Sequence, residues 1–342
     1  MPGQGETGHD IVVVGGSAGS LSVLKTLLGA LPAGLPASVF IVTHLPTGMR
    51  STIPELLDRL SPLPVAAAHD GEAIVPGRVY VAPPGSHMLI VDGHVRLGFG
   101  PRENLSRPAI DPLFRSAAIA HGRRVVGVVL TGMLDDGSAG LAAIRRCGGL
   151  AVVQDPVDAE YDDMPRNAIA TTSIDHLARA DELSTLIVRL VGEAAAEPGP
   201  PVAHVVPRDL AIEVDIALGG RSDAVRTAEI ADVVPMTCPT CSGALSEIRQ
   251  HPPLRFRCQT GHAFSAKQLE REQEGAIDEA LRVALRIIDE RAELVTRLGM
   301  DASRAGRTGS SEMYGQRASE YRGYADTIRK AMLTHFTDMD IA

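Results

Sequence analysis

A chain of 342 residues has room, at about 150 residues per domain, for two domains and a sizeable core. With 44% hydrophobic and 22% charged residues, it has the composition of a folded globular protein, which excludes wholesale disorder. A formal net charge of -9, with 6 Phe, 5 Tyr and no Trp, argues against a phosphate-backbone partner and leaves few stacking platforms, so no nucleic-acid partner is expected.

Residues 11–14 (IVVV) form a short buried-strand run that ends at Gly15. Leu21, Leu24, Leu27, Leu28 and Leu31 then recur at helical spacing until Pro32 stops them, which predicts a strand, a tight turn and a helix. Residues 39–43 and 78–82 read as further strands, and 89–97 as a hairpin turned at Asp92-Gly93. Asp111-Pro112 offers an N-cap and a first-turn proline for a helix running to about His121. Residues 125–130 and 150–153 are apolar throughout, as suits central parallel strands covered on both faces. Over residues 1–192 the expectation is an α/β fold, a doubly wound, mostly parallel sheet with crossover helices.

The composition then shifts to Ala, Glu, Pro and Gly, including EAAAEPGPP, so residues 193–235 are expected to be a linker, part of which could pair as an extended segment. Residues 236–264 form a compact Cys/His module, and 265–342 a helical tail with stretches over 265–298 and 311–336. Ile277, Leu281, Ala284, Leu285 and Ile288 share one face of the first stretch, which fits an αα-hairpin or a coiled-coil homo-oligomer. No apolar run reaches the roughly 18 residues that span a bilayer, and MPGQGETGHD lacks a signal-peptide pattern. A cytoplasmic protein without an integral membrane segment is expected.

Gly15-Gly16-Ser17-Ala18-Gly19 fits G-x-S-x-G, a turn that exposes a serine above a sheet, and equally fits a glycine-rich turn that cradles an anion. A dinucleotide site would want G-x-G-x-x-G, and the third position is Ser17; no acidic residue follows at the distance that would hold a ribose. His44 follows the strand at 39–43, and Asp136 follows the strand at 125–130. Taken singly, each could be an ordinary loop residue or, for Asp136, an N-cap. Together a serine, a histidine and an acid map to the C-terminal edge of one sheet, where open parallel sheets build their sites. Such a set suits a serine hydrolase. Ser17 would be the nucleophile, His44 its base and Asp136 the group that orients the imidazole. Backbone N–H groups of the glycine-rich turns, that of Ala18 among them, would bind the oxyanion. The chain order Ser, His, Asp argues against the common lipase and esterase fold, which runs Ser, Asp, His.

With these residues in place, the segment from residue 10 to about 191 resembles the catalytic domain of the chemotaxis protein-glutamate methylesterases. The resemblance rests on IVVVGGSAGS, VTHLPTGM, VYVAPPGSHM, RPAIDPLFRSAA, GVVLTGMLDDGSAGL and DMPRNAI in family order. It implies hydrolysis of glutamate methyl esters on chemoreceptor signalling helices, with release of methanol and a related glutamine deamidation. It also implies a catalytic role for Ser17, His44 and Asp136, and an oxyanion donor in the Met133 backbone N–H. His87, Arg107, Asp111 and Arg166 match family positions, as substrate contacts or as turn and cap contacts. Ala18 and Asp135 depart from the residues common in the family. The receiver domain of the best-known members has no counterpart before residue 11, so a separate regulatory partner or the C-terminal half is expected to control access. A scaffold protein retaining this fold is the alternative.

Cys238-x2-Cys241 and Cys258-x3-His262, sixteen residues apart, have the pairing that tetrahedral Zn²⁺ requires. Four protein ligands leave no open position, so a structural zinc is expected, with no cofactor needed for catalysis. The arrangement resembles zinc-ribbon-like tails on some receiver-less members of the same family. Cys147 stands apart and is expected to be a buried, inert thiol.

Overall fold

The computed structural model describes residues 8–44, 51–193, 206–220 and 222–339. Most of EAAAEPGPP and the second half of VTHLPTGM lie outside the described residues. By contacts the chain divides into two units, Met1–Leu269 and Glu270–Ala342. No described helix is long and apolar enough to cross a membrane.

The first unit opens with strand β1 (Ile11–Gly16), helix α1 (Ser20–Gly29), β2 (Ser38–Thr43), α2 (Ile53–Asp58), β3 (Val65–Ala67) and β4 (Val79–Val81). A hairpin of β5 (His87–Val91) and β6 (His94–Gly98) follows, then α3 (Ile110–His121), β7 (Val125–Val129), α4 (Ser138–Arg146), β8 (Leu150–Gln154), α5 (Asp163–Thr171), β9 (His176–Ala178) and α6 (Leu183–Gly192). Seven strands form one sheet in the order β3-β4-β2-β1-β7-β8-β9, with every neighbouring pair parallel. This is the doubly wound sheet expected. Its cause is visible in β1, where Ile11 and Val13 join a core with Phe114, Leu141 and Ile144 while Val12 and Val14 join one with Leu24, Leu27 and Ile187. Alternate residues of one strand thus enter two separate cores, and each fully buried aliphatic side chain contributes about 1.5–3 kcal/mol.

The β5–β6 hairpin turns at Asp92 (φ 49°) and Gly93 (φ 72°), the two left-handed positions that a tight primed turn demands. The expected N-cap at Asp111 is not formed. Helix α3 begins one residue earlier, and its first N–H groups, on Ile110 and Asp111, are accepted by the Asp136 carboxylate at 2.8 and 3.4 Å. Asp111 instead accepts from Gly140 N–H at 2.7 Å, tying α3 to α4.

The expected linker over 193–235 also needs correction. Its described part contains helix α7 (Arg208–Leu218), the short helix α8 (Ala224–Ala228) and most of strand β10 (Ala231–Thr237). Leu210 joins the sheet's core, Val214 and Ala217 pack on Leu89, and Ile212 and Ile216 pack on Ile230 and Ile248. Glu213 is buried among these residues as well, and the alternation of Leu210, Ile212, Val214, Ile216 and Leu218 has the period of a strand rather than of a helix. The C-terminal end of α7 meets the strand leaving β6 so closely that a β-carbon on Gly100 would stand 2.2 Å from the Ile216 carbonyl oxygen. β10 continues into a four-stranded antiparallel sheet with β11 (Ala244–Ile248), β12 (Arg255–Cys258) and β13 (Ala263–Ser265). The Cys/His segment is therefore part of a sheet that starts at Ala231. Its small core comprises Cys238, Leu245, Phe256, Cys258, Phe264 and Leu269.

The second unit is a helical hairpin formed by α9 (Ala266–Arg304), whose first residues belong to the first unit, and α10 (Thr308–Met339). Asp289–Arg329, Thr296–Arg322 and Gly299–Ser311 contacts run antiparallel along it. Ala292, Val295, Ala302, Ala318 and Ala325 fill the seam. Small seam residues let the helices approach closely, and the turn is shorter than the glycine- and serine-rich stretch suggests.

Candidate active site

Ser17 follows β1, His44 follows β2 and Asp136 lies between β7 and α4. These strands are neighbours in the order β2-β1-β7, and all three residues lie at carboxyl ends, where the chain leaves β1 towards β2 and leaves β7 towards β8, on opposite sides. Ser17 Oγ is 3.0 Å from His44 Nδ1, and His44 Nε2 is 2.7 Å from Asp136 Oδ2.

Asp136 is 3% exposed. Burial alone would raise its pKa, but hydrogen bonds from His44, Ile110 N–H and Asn104, with the attraction of His44, outweigh it and hold the carboxyl below the usual range. An ionised carboxylate only accepts, so His44 must donate from Nε2. The Nδ1 lone pair is then free to accept the Ser17 hydroxyl, a pairing suited to removing its proton.

The turn bearing Ser17 is held from behind. Ser17 N–H donates to the Thr131 carbonyl at 3.0 Å, and Thr131 Oγ1 lies 3.2 Å from the Ala18 carbonyl and 2.8 Å from Tyr161 N. Gly132 must lack a side chain, because a β-carbon there would stand 2.0 Å from Met164 Sδ and 2.9 Å from Ser17 Cβ. The turn 131–133 is thereby pressed against Ser17. Among the described residues, neither the Ala18 nor the Met133 backbone N–H has a hydrogen-bond partner, so both can donate to a developing oxyanion.

The other residues at family positions support the frame. Buried His87, its pKa lowered by desolvation, lies 3.0 Å from the Pro101 carbonyl through Nε2 and accepts Ala109 N–H through Nδ1. Arg107 donates to the Phe99 and Gly100 carbonyls. Arg166 is exposed and pairs with Asp162 one helical turn away. Cys147 is half-buried, and burial pushes its thiol pKa up. Sequence reasoning missed Thr131 and Asn104. Asn104 donates from Nδ2 to Asp136 Oδ1 at 3.1 Å and has a φ of 47°, a conformation that asparagine tolerates better than most residues.

The Cys/His segment gathers its four residues as one group. Sγ of Cys238, Cys241 and Cys258 and a ring nitrogen of His262 all lie within 4.8 Å of one another. Cys241 Sγ is 3.7 Å from Cys258 Sγ, and His262 Nδ1 is 3.8 Å from Cys238 Sγ and 3.5 Å from Cys258 Sγ. Ligands about 2.3 Å (sulfur) and 2.0 Å (nitrogen) from one tetrahedral ion stand about 3.5–3.8 Å apart, so this donor set fits zinc. Each ligand pair, Cys238 with Cys241 and Cys258 with His262, sits on a tight turn, closed by Ser242 N–H to the Cys238 carbonyl and by Gly261 N–H to the Cys258 carbonyl. Thr260 Oγ1, within 3.3 Å of both Cys241 and Cys258 sulfurs, can orient the thiolates as an outer partner.

The sequence profile of the CheB methylesterase family matches residues 12–187. A putative protein-glutamate methylesterase/protein-glutamine glutaminase of Leptospira interrogans is 39% identical over 183 residues, 53% of this chain and 95% of the relative. The Anaeromyxobacter dehalogenans protein-glutamate methylesterase/protein-glutamine glutaminase 5 is 39% identical over 189 residues, 54% of this chain and 52% of that protein. The crystal structure of the Thermotoga maritima CheB methylesterase catalytic domain aligns with a TM-score of 0.51 at 32% identity, covering 53% of this chain and 98% of that one. The Cys/His segment and the helical hairpin fall outside the residues matched by the profile.

Proposed function

The chain belongs to the CheB methylesterase family, and from that premise we propose that it hydrolyses methyl esters of protein glutamate side chains with Ser17 as nucleophile. The observation that carries the reading is the unbroken relay Ser17 Oγ, His44 Nδ1, His44 Nε2, Asp136 Oδ2. Ser17 Oγ attacks the ester carbonyl carbon while its proton passes to His44 Nδ1. The carbonyl oxygen takes the negative charge and is met by the Ala18 and Met133 N–H groups. On collapse the C–O bond to the methoxy group breaks, His44 returns the proton, and methanol leaves an acyl-serine. Water, deprotonated by His44, attacks that acyl group and releases glutamate with Ser17 restored. A glutamine side chain can follow the same course with ammonia leaving, consistent with the second activity in the relatives' names.

The substrate class is the methylated helices of chemoreceptor-like proteins, met in the cytoplasm. Zinc held by Cys238, Cys241, Cys258 and His262 is structural: the four ligands fill its coordination and the triad needs no metal. The test is mass spectrometry of methylated receptor helices after incubation. Peptides should lose one methylene mass at modified glutamates, whereas peptides unchanged at saturating enzyme would contradict the reading.

A further inference from the structure

Asn104 stands between the triad acid and the Cys/His sheet. Its Nδ2 donates to Asp136 Oδ1 at 3.1 Å, its Oδ1 accepts Ser265 N–H at 2.9 Å, and its own N–H donates to the Ala263 carbonyl at 2.8 Å. β13 reaches the neighbouring acid as well, because Ser265 Oγ donates to Asp135 Oδ1 at 2.5 Å. His262 directly precedes β13, and Cys258 ends β12.

The same strands are anchored by buried charge. Arg257 of β12 meets Glu103 at 3.0 Å and Glu213 at 3.4 Å, Arg255 meets Glu213 at 2.8 Å, and Arg115 of α3 bonds Glu103. Glu103 and Glu213 are each 2% exposed, so the arginines of β12 are needed to compensate charges that cannot reach water. Glu103 is the residue before Asn104. Removing β12 and β13 would therefore loosen the strap that holds Asp136, and so small a core is unlike one that keeps its order without its metal.

We propose that the Cys/His sheet is a positioning element for the triad, in which β13 holds Asn104 and Asn104 holds Asp136, so that the metal-bound module sets the alignment of His44. The proposal rests on the triad and metal readings above. Asn104 acts here as a positioning residue, because it touches Asp136 and not the substrate.

The experiment uses the full chain, with zinc content measured on every sample. It compares wild type, wild type stripped of zinc by a thiol reagent and chelator, Asn104→Gly and Asn104→Asp. Glycine accepts the left-handed backbone while deleting the amide. Aspartate keeps an acceptor for Ser265 N–H but replaces the amide donor with a second carboxyl beside Asp136. Methyl-ester turnover gives kcat and KM, and the downfield proton resonance of the His44–Asp136 hydrogen bond is recorded without substrate. Losing one hydrogen bond to a charged group should lower kcat by about tenfold to a hundredfold in both variants and in stripped wild type, with KM unchanged. The downfield resonance should broaden or vanish in all three, and stripping Asn104→Asp should cause no further fall in kcat.

Zinc-free wild type with unchanged kcat and resonance would overturn the proposal, as would Asn104→Gly with wild-type values. Purified chain that carries no zinc and is fully active would do the same. If stripping unfolds the protein, the two Asn104 variants decide the matter. Ser17→Ala run alongside separates the readings: its inactivity keeps the triad standing even where the module proves irrelevant.

Discussion

His44 donates from Nε2 to an Asp136 carboxylate 2.7 Å away, and this bond determines which ring nitrogen faces Ser17. Asp136→Asn replaces an obligate acceptor with a group that can donate, which allows the proton to move to Nδ1 and blocks acceptance from Ser17. Turnover is expected to fall by about 10⁴-fold, and because the Oδ2 position that faces His44 also accepts Ile110 N–H, an amide group there leaves that N–H without its acceptor and the thermal midpoint should fall as well. Steady-state kinetics beside a melting curve checks both halves.

Gly132 carries a steric prediction. Gly132→Ala must displace Met164 or the Ser17 turn, since the added carbon would fall 2.0 Å from Met164 Sδ. Overpacking of this kind costs about 1–3 kcal/mol, and displacement of the nucleophile should reduce turnover more than it reduces stability. Pairing Gly132→Ala with Met164→Ala should cost less stability than the sum of the two single changes, which denaturant unfolding would show.

Burial raises the Glu213 pKa, but Arg115, Arg255 and Arg257 outweigh it and hold the group at about 2, against an ordinary 4.5; Glu103 lies lower still through Arg115 and Arg257. Folded pKa values below the unfolded ones mean stability that is present above the unfolded value. It is lost as pH falls through the folded one. Unfolding free energy should therefore drop steeply below pH 4.5, the ordinary value for these groups. Arg257→Met leaves both glutamates undercompensated and should cost about 3–5 kcal/mol at neutral pH, with a shallower acid slope in urea titrations.

Elemental analysis of purified chain should give about one zinc per molecule. Cys238→Ser/Cys241→Ser should lose it, and the thermal midpoint should fall because β12 supplies Arg255 and Arg257 to the buried charge cluster. Far-UV circular dichroism should still report a folded parallel sheet, since neither core of that sheet includes the two cysteines.

The central strands were legible because burial on both faces writes continuous apolar runs, as in residues 11–14 and 125–129. Ser17, His44 and Asp136 stood out as candidates because each follows such a run. Helix α7 was hidden because Leu210, Ile212, Val214, Ile216 and Leu218 recur every second residue, the period of a strand, and because Glu213 lies among its buried residues. Asn104 was hidden for another reason. It lies in a loop without periodicity, and its partner Ser265 is 161 residues away, a separation at which no local pattern links two positions. Asp111 looked like a cap by residue type, yet Asp136 took that task from another loop, a tertiary preference that local propensity cannot encode.

The central claim is that Ser17 performs the hydrolysis. Its most direct test is methanol release from membranes bearing methylated receptors, measured with wild-type chain and with Ser17→Ala at equal concentration. The account predicts steady release by wild type and a fall of about 10³-fold or more in Ser17→Ala with folding intact. Methanol released by Ser17→Ala at a rate near that of wild type would contradict it.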